Sequence, residues 1–276
     1  MLVKQRNFGL DILRAMSIIL VFLAHRFSFP YELGIVGVQI FFVLSGFLIG
    51  QILIKDFNNG GTIKTILTFW KRRWYRTLPM YYLVLIYKIL IYGNPFGWKM
   101  IVYFLFLQTN FIGISFMSVS WSLAVEEWFY IFLPIFIFIF FRNGIDAKRF
   151  VIFLSCFIFL FFIARFSWNF FNKGVIIYQF DCLLLGVLLA MLKIYYRSIY
   201  VKLNSLWLFV FGLFGVIGLM ILLGKMDSVY IYNTFYKVTW YFLISITISF
   251  MVPFAEQSYI LNKTLRNIKP IYYFIT

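Results

Sequence analysis

The first apolar segment of the chain carries an arginine and a histidine, Arg14 and His25, with ten residues between them. Ionisable side chains at membrane depth are costly and rare, and they indicate a functional site by default. His25 is the only histidine in the sequence, and histidine is the residue type that changes charge near neutral pH. Eleven helical steps of about 100° bring both side chains to one stripe, roughly 16 Å apart, with Asp11 on the same face. We therefore expect a shared polar cavity, the alternative being that the two residues sit at opposite membrane edges.

A second polar group directly precedes a long apolar run. It comprises Ser120, Trp121, Ser122, Glu126 and Glu127. Two adjacent carboxylates are expensive if they face lipid, whereas the positive end of a helix that begins here would offset part of their charge. One interpretation is a capping turn with Ser120 or Ser122 as the cap. The other places Glu126 in a cavity with His25, where it would take part in proton transfer.

Three further patterns combine charge or small residues with apolar sequence. Four cations lie within six residues, at Lys71, Arg72, Arg73 and Arg76. They suit either a cytoplasmic membrane anchor or a phosphorylated ligand, because guanidinium groups match phosphate oxygens. Asp181 lies inside another apolar segment. The GxxxG pair formed by Gly46 and Gly50 favours close helix packing.

Composition decides the class of protein. Of the 276 residues, 63% are hydrophobic and only 12% are charged, whereas soluble domains are about half apolar and a quarter charged. We predict an all-α, polytopic integral membrane bundle, a single domain over residues 1–276. It should have about eight full spans, one re-entrant or interfacial segment and a truncated last helix. The spans are predicted at about 10–29, 34–54, 77–92, 127–141, 150–167, 175–193, 206–223 and 231–252.

The distribution of lysine and arginine predicts the orientation. If the interrupted apolar stretch 98–117 does not cross, about two-thirds of the 25 basic residues lie on one side, which marks that side as cytoplasmic. We therefore predict a cytoplasmic N-terminus and a segment, 98–126, that enters and leaves from the outer side. The net charge of +16 is explained by loops beside a lipid bilayer, so nucleic acid is not expected as a partner.

Five motifs occur in order along residues 10–190. They are Leu10-Asp11-x-x-Arg14 with His25, the run from Phe41 to Ile49, Arg73-x-x-Arg76-x-x-Pro79, Trp121-Ser122-Leu123-x-Val125-Glu126 with Phe129, Tyr130 and Pro134, and Asp181-x-Leu183-Leu184-Leu185-Gly186. In these motifs and their order the chain resembles membrane-bound acyltransferase family 3.

The resemblance implies an O-acyltransferase of the bacterial cytoplasmic (inner) membrane. Such enzymes move a short acyl group, usually acetyl, from cytosolic acetyl-CoA to a hydroxyl of an extracytoplasmic polysaccharide or glycolipid. It also implies that Arg14 and His25 are needed for activity. We assign His25 as base or acyl carrier and Arg14 to a CoA phosphate or the thioester oxyanion. Asp11 would orient Arg14, and Glu126 would position His25 or the acceptor.

The remaining candidates concern ligand binding. The donor phosphates are assigned to Lys71, Arg72, Arg73 and Arg76, and no metal is expected. Candidate acceptor-binding residues are Trp121, Ser122, Glu127 and Asp181.

Two other classes of function remain open. One is a transporter or flippase for a lipid-linked sugar or an acyl group. The other is an inactive truncated homologue, since the resemblance implies a further C-terminal helix that would only begin at residues 270–276.

Overall fold

The computed structural model describes residues 7–27, 31–108, 116–117, 119–142, 144–167, 179–225 and 234–257. Within these ranges all regular structure is helical and there is no strand. The chain divides into two compact units. The first unit contains residues 1–51 and 181–276, and the second contains residues 52–180. The predicted helix at residues 270–276 lies outside the described residues.

The α-helices, in chain order, are Phe8–Arg26 (α1), Tyr31–Asn58 (α2), Ile63–Tyr92 (α3), Ile101–Phe104 (α4), Ser120–Phe141 (α5), Ala147–Ser167 (α6), Phe180–Tyr195 (α7), Arg197–Leu203 (α8), Leu206–Lys225 (α9) and Thr234–Gln257 (α10). A helix therefore occupies most of the described part of each of the eight predicted spans.

Five of these helices are long and apolar enough to cross a membrane. They are α1, α2, α5, α6 and α10. A sixth span results if α8 and α9, which meet at a 62° bend, are counted together. With 16 residues, α7 is about 24 Å long, less than the roughly 30 Å of a bilayer core. The fold is thus an all-helical membrane fold, and the count of eight spans stays a prediction.

The α1 helix is fixed at its first residue by a cap. The side chain of Asn7 accepts a hydrogen bond from the Leu10 backbone N–H at 3.3 Å. Asp11 lies in the first turn, and His25 lies in the last turn. An acidic residue in the first turn and a basic residue type in the last turn both suit the helix dipole. The buried face of the helix includes Leu13 and Asp11, so this apolar helix buries an acidic side chain.

Helices α2 and α7 approach each other closely at glycines. A Cβ atom at Gly46 would lie 1.9 Å from the Leu183 carbonyl oxygen, and one at Gly186 would lie 2.2 Å from the Val43 oxygen. A Cβ at Gly50 would meet Ala190 at 3.0 Å. Only glycine allows backbones to come this close. The structure confirms the predicted close packing at the GxxxG pair.

One carboxylate ties several segments of the first unit together. Glu256, near the end of α10, forms an ion pair with Lys193 of α7. It also accepts a hydrogen bond from the Tyr200 hydroxyl at 2.7 Å, while Lys193 donates to Gln51 Oε1 at 2.7 Å. The backbone oxygen of Glu256 accepts a hydrogen bond from the Asn7 amide at 2.7 Å. These contacts fix the start of α1, the helix that carries Arg14 and His25.

In the second unit, the described part of the stretch predicted not to cross includes a short 3₁₀ turn, Gly97–Met100, and the four-residue helix α4. Residues 109–115 and 118 of this stretch lie outside the description. Phe106 has a positive φ of 57°, a conformation that is strained for a residue with a side chain.

Side chains of α3 and α5 hold this stretch by its backbone carbonyl oxygens. Hydrogen bonds run from Tyr81 to Tyr103 (2.8 Å), from Tyr82 to Phe104 (3.0 Å), from Lys88 to Phe116 (2.6 Å) and from Trp128 to Phe106 (3.1 Å). Irregular backbone at membrane depth requires such partners.

Candidate functional site

Asp11 and Arg14 form an ion pair on α1. Arg14 donates from Nη1 to Asp11 Oδ1 at 3.0 Å. The Asp11 side chain is 7% exposed and that of Arg14 is 39% exposed. The carboxylate is therefore held inside the protein while the guanidinium keeps an open side. The predicted pairing of these two residues on one face is confirmed.

His25 lies on the same helix, and its side chain is exposed. Helix α2 packs closely against this part of α1. A Cβ at Gly34 would meet the Ala24 side chain at 3.0 Å, and one at Gly37 would lie 2.6 Å from the Ser17 oxygen. Among the described residues, no hydrogen bond or ion pair to His25 is found, and residues 28–30 are outside the description. The shared polar cavity therefore stays a prediction.

The two adjacent carboxylates of the second unit are buried, Glu126 at 6% exposure and Glu127 at 2%. Helix α5 begins at Ser120, so both carboxylates lie well inside it. Our expectation that they stand where the helix begins was wrong, because the helix starts about two turns earlier. The dipole offset falls off within the first turn, so it does little for them. The predicted partnership of Glu126 with His25 stays a prediction.

The predicted serine cap is also absent from this helix end. The N-cap position is Val119, with no side-chain cap. Ser120 instead donates to the Met117 oxygen at 2.7 Å and accepts from Gln108 Nε2 at 3.1 Å. Trp121 and Ser122 are half-buried.

Glu127 belongs to a buried polar cluster between α3 and α5, which we call the α3–α5 cluster. It consists of Trp70, Arg73, Thr77, Glu127 and Tyr130. Thr77 donates to Glu127 Oε1 at 2.8 Å. The Arg73 guanidinium lies over the Tyr130 ring, 4.5 Å from its centroid. Trp70 donates its indole N–H to the Tyr130 carbonyl oxygen at 2.9 Å.

The four cations at positions 71, 72, 73 and 76 differ in their exposure. Lys71, Arg72 and Arg76 are exposed, whereas Arg73 is half-buried and faces the α3–α5 cluster. Three of the four side chains are open to an anionic ligand. The sequence-based prediction gave all four cations the same role. The spacing of four residues between Arg73 and Thr77, which places both on one helix face, could have distinguished Arg73.

Asp181 is fully buried in the first turn of α7. Its Oδ1 accepts a hydrogen bond from the Cys182 backbone N–H at 2.8 Å. Nearby, the Ser245 hydroxyl donates to Gln39 Oε1 at 2.9 Å and lies 3.0 Å from the Cys182 sulfur. Asp181 has no open side here, and its role in acceptor binding stays a prediction.

Within the described ranges, no group of three or more His, Cys, Asp or Glu side chains is placed to hold a metal ion.

Almost the whole sequence matches a known protein family. The family model described as "Acyltransferase domain" matches residues 7–275, nearly the whole chain. The chain belongs to acyltransferase family 3. The match extends beyond residue 190, where the sequence motifs gave no support.

Curated relatives match about half of the chain. A candidate O-acetyltransferase of Staphylococcus aureus (strain COL) is 35% identical over 145 residues, which cover 46% of this chain and 24% of that protein. The peptidoglycan O-acetyltransferase OatA of Listeria monocytogenes is 32% identical over 155 residues, 49% of this chain and 24% of OatA. A candidate peptidoglycan O-acetyltransferase of Bacillus subtilis, YrhL, is 36% identical over 150 residues, 47% of this chain and 23% of YrhL.

The matched region thus spans about a quarter of the length of these relatives. No solved structure matches the chain significantly.

Proposed function

We propose that this chain transfers an acetyl group from cytosolic acetyl-CoA to a hydroxyl of an extracytoplasmic glycan, with peptidoglycan as the first acceptor to test. The protein would lie in the bacterial cytoplasmic membrane with its N-terminus inside. Family membership supports the acyl transfer, and the names of the Listeria and Bacillus relatives support the acceptor. The observation that carries the proposal is the Asp11–Arg14 ion pair on the helix that also bears His25.

His25 is the group we propose to act on the reacting atoms. As a general base it would take the proton of the acceptor hydroxyl while that oxygen attacks the thioester carbonyl. As a nucleophile it would instead carry the acetyl group between donor and acceptor. Its side chain is exposed in the last turn of α1.

Arg14 would contact a different part of the donor. The two residues stand eleven helical positions apart, about 16 Å along the axis. A thioester placed at His25 is therefore out of reach of Arg14, and we favour a CoA phosphate as its ligand rather than the oxyanion. Asp11 would hold the guanidinium in position, since charge-assisted hydrogen bonds are short and directional.

The exposed cations of α3 would bind the donor nucleotide at the cytoplasmic side. Lys71, Arg72 and Arg76 present three positive charges to solvent, and such groups suit phosphate oxygens. The Arg73 guanidinium instead lies over the Tyr130 ring in the α3–α5 cluster. We therefore do not propose Arg73 as a ligand of the donor. This proposal rests on the predicted orientation of the N-terminus.

The proposal is tested with the full chain in liposomes. Labelled acetyl-CoA is supplied on one side, and transfer to soluble peptidoglycan fragments is measured. We expect His25→Ala to lower the rate by about 10²-fold or more, the usual contribution of a general base. Met16→Ala, at an exposed apolar position of the same helix, is the control.

Wild-type rates in both His25→Ala and Arg14→Ala would contradict the assignment. Movement of the glycan without any need for acetyl-CoA would instead indicate a transporter.

A further inference from the structure

The α3–α5 cluster contains two side chains of opposite charge, Arg73 and Glu127. Glu127 is 2% exposed, and the Arg73 guanidinium lies over the ring of Tyr130, three residues after Glu127. Thr77, four residues after Arg73, donates to Glu127. An unpaired polar atom on a buried charged side chain is costly.

Each partner keeps one buried atom without a hydrogen bond among the described residues. These atoms are Nε of Arg73 and Oε2 of Glu127. The other carboxylate oxygen, Oε1, already accepts from Thr77, and the Trp74 side chain also forms a hydrogen bond with this carboxylate. Buried polar atoms in native proteins nearly always have a partner, so such atoms require an explanation.

The two unused atoms are of opposite kinds, since Nε–H donates and Oε2 accepts. A hydroxyl group satisfies both at once, because it donates through its hydrogen and accepts through its oxygen. An ammonium group would satisfy only the carboxylate, and a phosphate only the guanidinium. The chemistry of the pair therefore suits an O–H group, which an alcohol or a water molecule supplies.

A third such atom, an acceptor, belongs to a side chain bonded to the same face of α5. The side chain of Gln108 is fully buried, and its Oε1 has no hydrogen-bond partner within the described ranges. Its Nε2 donates to Ser120 at 3.1 Å. Ser120 precedes Glu127 by seven residues, so both lie on one stripe of α5, about 10 Å apart along the axis. A ligand with several hydroxyls would satisfy Glu127 and Gln108 together.

We propose that Arg73 and Glu127 bind a hydroxyl of the sugar acceptor and that Gln108 binds a second hydroxyl of the same molecule. The proposal rests on the proposed function and assigns it an acceptor site. Arg73 thus serves the acceptor, whereas the exposed cations beside it serve the donor. The site is rigid, because Trp70 fixes the Tyr130 backbone and the Tyr130 ring supports the guanidinium.

The test separates donor from acceptor binding. The full chain in nanodiscs is assayed with acetyl-CoA and soluble peptidoglycan fragments, and the KM of each is measured. For Glu127→Gln and Arg73→Lys we expect the KM of the glycan to rise about tenfold or more, as loss of a charge-assisted hydrogen bond predicts. The KM of acetyl-CoA should stay within about twofold.

The matched control is Arg72→Gln, an exposed cation next to Arg73 in sequence. It should raise the KM of acetyl-CoA and leave that of the glycan unchanged. The proposal is overturned if Glu127→Gln raises the KM of acetyl-CoA instead. It is equally overturned if both constants stay at wild-type values, since the pair would then hold only an ordered water.

An O-methylated glycan tests the same contact without relying on a variant's folding. A methyl ether accepts hydrogen bonds but cannot donate to Glu127. It should bind wild-type protein about tenfold more weakly than the free glycan, and Glu127→Gln should abolish the difference. If the wild type transfers no acetyl at all, the proposed function fails. Equilibrium binding of the two glycans then still decides the site, and equal affinity for both overturns it.

Discussion

The contact between α2 and α7 predicts the effect of adding one methyl group. In Gly46→Ala the new Cβ would lie 1.9 Å from the Leu183 carbonyl oxygen, whereas ordinary contact begins at 3.4 Å. The obstacle is backbone rather than a flexible side chain, so the two helices must separate by about 1.5 Å. A gap of 0.5–1 Å already forfeits a quarter to a half of a dispersion contact. We expect a loss of about 1–3 kcal/mol in the free energy of unfolding, the usual cost of overpacking.

This prediction is checked by the thermal unfolding midpoint of the detergent-solubilised protein, which should fall by roughly 2–10 °C. Gly218→Ala is the matched control, because Gly218 lies inside α9 with nothing within 4 Å of a new Cβ. It should raise the midpoint slightly, since alanine is the better helix former. Gly186→Ala separates the same helix pair, so its cost should not add fully to that of Gly46→Ala. Equal midpoints for Gly46→Ala and wild type would refute the packing argument.

Three further predictions concern charged groups. Asp11→Asn keeps the side-chain shape but weakens its hold on its arginine partner, so initial rates of acetyl transfer should fall roughly tenfold; unchanged rates would contradict this. Glu256→Gln leaves Lys193 without its countercharge. Because that lysine is 23% exposed, thermal unfolding should show a loss of about 1–3 kcal/mol rather than the larger cost of a fully buried pair. The double variant with Lys193→Met should recover stability, and a double variant less stable than the single one would speak against the pair. The Arg149 backbone N–H donates to Asp146 and holds the pKa of that carboxyl below its usual 3.8. Its contribution to stability is therefore present above about pH 4 and lost as the pH falls through the lowered pKa. Asp146→Asn should remove part of the acid-dependent fall in the unfolding midpoint.

The helices and the local part of the candidate site could be predicted from the sequence. Asp11 and Arg14 are three residues apart, so helical periodicity alone placed them together, and the structure has them in an ion pair. The glycine contacts between α2 and α7 followed from the spacing of Gly46 and Gly50, because a helix interface needs small residues at such intervals. These features depend on one helix at a time.

Features that depend on several segments were missed. The contacts of Glu256 join residues 56 to 249 positions apart, and no periodicity along one helix signals them. Thr77 and Gln108 were overlooked for the same reason, since their partners come from α5. The start of α5 was placed too late because its first turn contains serines and a tryptophan, whose polarity hides the helical pattern.

Four of the hydrogen bonds that hold the described part of the stretch around α4 end on backbone carbonyl oxygens. Every amino acid supplies such an oxygen, so the residues whose carbonyls are held can be replaced without loss of the anchors. Substitutions would then change the chemistry presented by this stretch while its attachment persists. Such a protein can change the ligand that it recognises through substitutions at these few positions. The helices α3 and α5, which supply the hydrogen-bond donors, need not change.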